Sequence, residues 1–164
     1  MKKIREKIPG VTLRTTLITG FPGETNEQFE ELAEFVKETR FDKLGCFAYS
    51  QEEGTPAAGF DGQLDEETKV HRADIIMEQQ QLISEQNNQS KLDMEYETVV
   101  EGFDKYAECY FGRCRFDAPD IDGKIYFFSS EEVEYGKYYN VKIKWRRHKS
   151  VCLHFSILRK LMYN

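Results

Sequence analysis

Between Leu13 and Thr25 the chain reads LRTTLITGFPGET, a run of strand formers that passes directly into a glycine turn and then into a helix start. Leu13, Leu17 and Ile18, interleaved with threonines, suit a pleated and largely buried backbone, and Arg14 is the only charge within that run. Gly20 and Gly23 flank Pro22, so the turn combines two residues that tolerate left-handed angles with one whose φ is already fixed. Thr25 followed by Gln28 is a capping box, which gives the free amides of a helical first turn their partners.

The helix start is fulfilled downstream. Phe29, Leu32, Ala33 and Val36 recur at helical spacing, which predicts an amphipathic helix over 26–39, and LGCFAY at 44–49 predicts a second strand. Strand, helix and strand within so short a stretch make a βαβ unit, with parallel strands and a right-handed connection. Upstream, KKIREKIPG reads as the last turns of a helix stopped by Pro9 and Gly10. Downstream, SQEEGTPAAGFDG is a loop leaving the carboxyl end of the second strand. Asp65 then caps a long helix reaching about Ser90, with Val70, Ala73, Ile76, Met77 and Ile83 on its expected apolar stripe.

From Leu92 the period changes to two. Strand-like runs stand at 94–100, 107–115, 124–128 and 138–145, and the alternation of Val151, Leu153, Phe155 and Ile157 predicts a fifth. Five short strands in so little chain imply a small barrel of the oligonucleotide-binding type. The expected fold class is therefore α/β plus all-β, with one domain over residues 1–90 and a second over 91–164.

At 164 residues and 40% hydrophobic the chain can bury two small cores. It has neither a long apolar run nor an apolar leader, so the expectation is a cytoplasmic protein without a membrane partner. Cys46, Cys109, Cys114 and Cys152 are irregularly spaced, which predicts reduced thiols and no disulfide framework. Cys109 and Cys114 lie five positions apart, which places them on opposite faces of a regular strand, and His71, His148 and His154 have no ligand-spaced neighbours; no metal site is expected. No Ser, His, Asp constellation stands out, so no catalytic residue is assigned within this chain.

Charge is unevenly spread. The net charge is -6, yet the segment from Lys137 to Asn164 holds eight basic residues and no acid. From Leu92 to Gly136, twelve acids face only Lys105, Arg113, Arg115 and Lys124.

LRTTLITGFPGET, FDKLGCFAYSQEEGTPAA and FGRCRFDAPDIDG, in this order and spacing, resemble the C-terminal part of the RimO family, radical-SAM methylthiotransferases that modify an aspartate of a small-subunit ribosomal protein and are relatives of the MiaB family. The resemblance runs from Lys3 to Lys144. It implies the C-terminal βαβ portion of a radical-SAM partial TIM barrel followed by a five-stranded TRAM barrel. It also implies that the parent enzyme uses S-adenosylmethionine and [4Fe-4S] clusters, the radical-SAM cluster being held by a Cys-x3-Cys-x2-Cys loop. That loop is absent from this sequence, so no cofactor is expected to be bound by this chain and it should be inactive alone. By position the resemblance brings Ile18, Gly20, Phe47 and Tyr49 near the adenosyl end of S-adenosylmethionine, with Arg14 and Glu24 as weaker candidates. Apolar side chains can sandwich adenine, and glycine lets backbone groups come close.

Two partners are open to such a chain. A TRAM domain docks either the basic ribosomal protein or, as in the tRNA-modifying relatives, RNA. The acidic balance of residues 92–136 favours the protein, because a phosphate-binding surface needs the opposite sign. Glu52, Glu53 and Gly54 stand where tRNA-directed relatives typically carry ArgProGly. The expected docking acids are Asp117, Asp120 and Asp122, although Asp before Pro and Asp before Gly are also plain turn chemistry. Past Lys144 the resemblance ends, because family members close with a short Asp-Leu-x-Gly segment and KWRRHKSVCLHFSILRKLMYN has no acid and no glycine.

Overall fold

A computed structural model describes residues 1–145 and, as a backbone strand, 153–160; side chains are described through Lys144. Contacts divide the chain into two compact units, Met1–Asn88 and Gln89–Asn164.

In the first unit a short helix α1 (Lys2–Lys7) precedes strand β1 (Arg14–Thr19), helix α2 (Asn26–Thr39), strand β2 (Lys43–Ala48), a 3-10 turn at Pro56–Gly59 and the long helix α3 (Glu66–Gln89). β1 and β2 pair in parallel, with Leu17 opposite Cys46 and Ile18 opposite Phe47. Thr25 caps α2 in both directions: its side chain accepts from the Gln28 amide, and the Gln28 side chain accepts from the Thr25 amide. α2 ends at Arg40, in the left-handed conformation with φ 51°. One face of the strand pair buries Leu17, Cys46 and Ala48 against Val36, Ala73, Ile76 and Ile83 of the helices.

Helix α3 departs from its expected stripe. It buries Lys69, Arg72, Ala73, Ile76, Gln80 and Ile83, while Val70 and Met77 are exposed. The first turns of α3 lie against polar backbone at the end of β1, so long polar side chains with apolar stems pack there instead of Val70.

The second unit is a five-stranded antiparallel sheet of β3 (Glu95–Asp104), β4 (Cys109–Cys114), β5 (Ile125–Phe127), β6 (Tyr138–Trp145) and β7 (Leu153–Lys160), in the order β5-β4-β3-β6-β7. It curls until edge strand β5 meets edge strand β7, a form compatible with a TRAM barrel. β3 runs past the expected end at Val100, because a bulge between Val100 and Gly102 re-aims the chain and the Phe111 ring lies where a Cβ on residue 102 would stand, 2.7 Å away. The turn moves to 105–108, where Asp104 accepts from the Tyr106 and Ala107 amides. The fifth strand begins at Leu153; Val151 and Cys152 lie outside the described residues, as do Arg146, Arg147, His148 and Lys149.

Val100, Ile125, Phe127, Val133, Tyr139, Val141 and Ile143 form the core of this unit together with Cys114. Cys109 is buried outside that cluster. Phe127 is fully buried and stacks on Tyr110. Replacing Phe127 by Ala should cost about 3–5 kcal/mol, read as an earlier urea transition of strand signal with the helical signal of the first unit unchanged. The Cys114 thiol is pushed up to about 12 by burial and by Asp117, whose Oδ2 sits 3.0 Å from its Sγ. The unfolded chain ionises that thiol at its ordinary value and the folded one resists, so this contribution is fully present below about pH 8.5 and is lost as pH climbs towards 12. Urea midpoints of the second unit should fall across that window, and Cys114→Ala should flatten the fall; an unchanged slope would refute the assignment.

Candidate functional site

The carboxyl ends of β1 and β2 carry the candidate site. Gly20 ends β1 with φ 73°, and a Cβ there would stand 2.4 Å from the Lys69 Cγ and 3.0 Å from the Lys69 Cα, so glycine is required both by angle and by space. Its amide donates to Glu24 Oε1 at 2.9 Å. Arg72 of α3 donates to the same Oε1 at 2.5 Å, to the Glu24 carbonyl at 3.2 Å and to Asn26 Oδ1 at 2.7 Å, while its guanidinium lies over the Phe29 ring. Arg72 is buried and Glu24 is mostly so. Glu24 thus serves neighbouring backbone and Arg72 together. Arg14 lies exposed at the opposite, amino end of β1.

The loop after β2 folds back over the same turn. The Gly23 amide donates to the Gly62 carbonyl at 2.9 Å, and Phe21 meets Tyr49 and Phe60 edge to face at 5.3 and 6.2 Å. Tyr49 is only 8% exposed, with the Lys69 ammonium 5.3 Å from its ring centre, and its hydroxyl finds no hydrogen-bond partner among the described residues. Lys69 itself is 2% exposed and is held at its tip by Glu66 at 2.6 Å.

The face of the strand pair opposite the helices is apolar and open. Ile18 and Phe47 stand side by side across the parallel register, 56% and 61% exposed, and the Phe47 ring leans over Gly45. The structure therefore brings Ile18 and Phe47 together on one wall, with Gly20 and Tyr49 at its carboxyl end. Sequence reasoning missed Lys69 and Arg72. Their signal was two cations three residues apart in the opening turns of an otherwise apolar-striped helix, directly after the capping Asp65.

In the second unit Asp120 and Asp122 line an open pocket of about 220 Å³ with Glu101, Phe111, Arg113 and Lys124. Lys124 lies over the Phe111 ring at 4.1 Å, and Arg113 pairs with Glu101. Asp120 adopts φ 60°, and Asp122 accepts from the Ala118 amide at 2.6 Å. Asp117 is placed differently: its carboxylate turns to the Cys114 amide and thiol. Among the described residues no group of three or more His, Cys, Asp or Glu side chains is arranged to hold a metal ion, and Cys46 packs in the first core with its thiol raised chiefly by burial.

Residues 94–149 match the TRAM domain family. The ribosomal protein uS12 methylthiotransferase RimO of Clostridium botulinum (strain Hall) is 49% identical over 143 residues, that of Caldicellulosiruptor saccharolyticus 46% and that of Acetivibrio thermocellus 43%, each alignment covering 87% of this chain. The chain spans 32% of the length of these relatives. Over the 143 residues that align, the chain is similar to the RimO methylthiotransferases, and its second half matches the TRAM domain family.

Proposed function

We propose that this chain is the C-terminal portion of a radical-SAM methylthiotransferase that modifies an aspartate of a small-subunit ribosomal protein in the cytoplasm. In this reading residues 1–90 are the end of the radical-SAM partial barrel and residues 91–164 are a TRAM domain that docks the protein substrate. The observation that carries the first half is the pairing of Ile18 with Phe47 on the uncovered strand face beside Gly20. These residues fit S-adenosylmethionine. Ile18 and Phe47 offer an apolar wall for the adenine, and the buried Tyr49 hydroxyl, which has no partner among the described residues, can donate to the ligand.

Bound there, S-adenosylmethionine supplies the radical and sulfur-alkylating chemistry of the family. This chain's own residues orient and shield: the Glu24–Arg72 pair fixes the turn, and Phe21, itself packed on Phe60, covers Tyr49 and keeps water from that end. The cluster is a different matter. Cys46, Cys109, Cys114 and Cys152 do not have the Cys-x3-Cys-x2-Cys spacing, so the residues present do not fit a [4Fe-4S] cluster and no step is assigned to one in this chain.

For the second half, the net -8 between Leu92 and Gly136 suits a basic protein better than RNA. Asp120 and Asp122 offer their charge at the pocket, while the Asp117 carboxylate is engaged with Cys114. Among the described residues no helix is long and apolar enough to cross a membrane.

The test is a titration of the full chain against the small-subunit ribosomal protein and, separately, against a tRNA anticodon stem-loop. The ribosomal protein should bind more tightly and weaken as salt rises from about 50 to about 300 mM, over which the screening length shortens. Asp120→Asn with Asp122→Asn should weaken it further, by about 5-fold or more, by removing two rim charges. Tighter binding to the RNA, or protein binding insensitive to salt, would overturn the docking assignment.

A further inference from the structure

The two edges of β2 are unequal. Its inner edge pairs with β1, the Lys43 amide donating to the Leu13 carbonyl at 3.2 Å and the Tyr49 amide to the Thr19 carbonyl at 2.8 Å. Successive residues of a strand direct their backbone groups to alternate sides, so Leu44, Cys46 and Ala48 present theirs outward. No strand pairs with them there among the described residues. The Cys46 amide instead donates to the thioether of Met77 at 3.3 Å, a weak acceptor on an exposed and flexible side chain.

Beside this edge an open groove of about 490 Å³ is lined by Leu44, Asp74, Met77, Glu78 and Gln80, among others. Gln80 is buried; its Nε2 donates to the Phe41 carbonyl and to Ser84 Oγ, both at 3.0 Å, while its Oε1 has no partner among the described residues. The charged side chains in the lining are Asp74 and Glu78, both exposed acids on α3.

We propose that this groove takes an extended, lysine- or arginine-bearing peptide segment as an added strand on the outer edge of β2. A peptide carbonyl accepts from the Cys46 amide and displaces the Met77 sulfur, peptide amides donate to the outward carbonyls of β2, and basic side chains reach Asp74 and Glu78. Main-chain pairing supplies affinity in such strand addition, and charge selects the partner. The proposal rests on the protein-substrate reading above only for the origin of the peptide. It uses a surface of the first unit, separate in sequence from the pocket of Asp120 and Asp122.

The test uses the full chain, ¹⁵N-labelled, with the synthetic peptide KVKVKVKV at about 1 mM, enough to populate a weak site, and with EVEVEVEV as control. Exchange of the Leu44, Cys46 and Ala48 amides should slow by about tenfold with the basic peptide alone, a stabilisation of about 1.4 kcal/mol. Asp74→Lys with Glu78→Lys, two exposed positions that the fold tolerates, should abolish the effect. Unchanged exchange at these three amides, or equal slowing by the acidic control, overturns the proposal. Peptide-induced shifts confined to the pocket of Asp120 and Asp122 would also overturn it while leaving the docking role of the second unit intact; failure of the ribosomal protein titration with the β2 amides still protected would do the reverse.

Discussion

A single buried arginine holds the first unit's working end together. Arg72 reaches from α3 to three acceptors, all on the segment from Glu24 to Asn26, and Glu24 passes the constraint on to the Gly20 amide. A guanidinium suits this work because its planar fork stays charged and can serve several oxygens at once. Removing either member of such a pair leaves an uncompensated buried charge, so the turn between β1 and α2 and the start of α3 stand or fall together. Other contacts gather at the same end. Lys69 is laid across Gly20, its ammonium meets the Tyr49 ring, and the loop from Ser50 to Gln63 closes over Phe21.

The local elements of the first unit were legible because their signals are local. Thr25 and Gln28 satisfy one another within one helical turn, and the apolar recurrence from Phe29 to Val36 needs no distant partner, so the helix over 26–39 matches its expected bounds. The stripe on α3 was not legible. Periodicity counts apolar residues and cannot see that the backbone facing the first turns is polar, which is why buried Lys69 and Arg72 displaced Val70 from the expected face. Glu24 was visible only as a weaker candidate, and its partner lies 48 residues away, beyond any sequence window.

In the second unit the alternating pattern identified the strands and misjudged their ends. The strand expected to end at Val100 continues through a bulge, with Gly102 spent on seating the Phe111 ring. The acids of the DAPDID loop were equally ambiguous in sequence, since turn chemistry and partner recognition use the same residue. The structure separates them by position: Asp117 faces inward to Cys114, whereas Asp120 and Asp122 line a pocket that also offers an aromatic ring and two cations.

The central claim, that the Glu24–Arg72 pair couples the glycine turn to α3, is tested most directly by a double-mutant cycle of Glu24→Gln and Arg72→Met in this chain. Urea unfolding of the helical signal should show each single variant destabilised by about 3–5 kcal/mol and the double variant by much less than their sum, a coupling above about 1 kcal/mol. Additive losses would contradict the account, because they would mean that the turn and the helix are held independently.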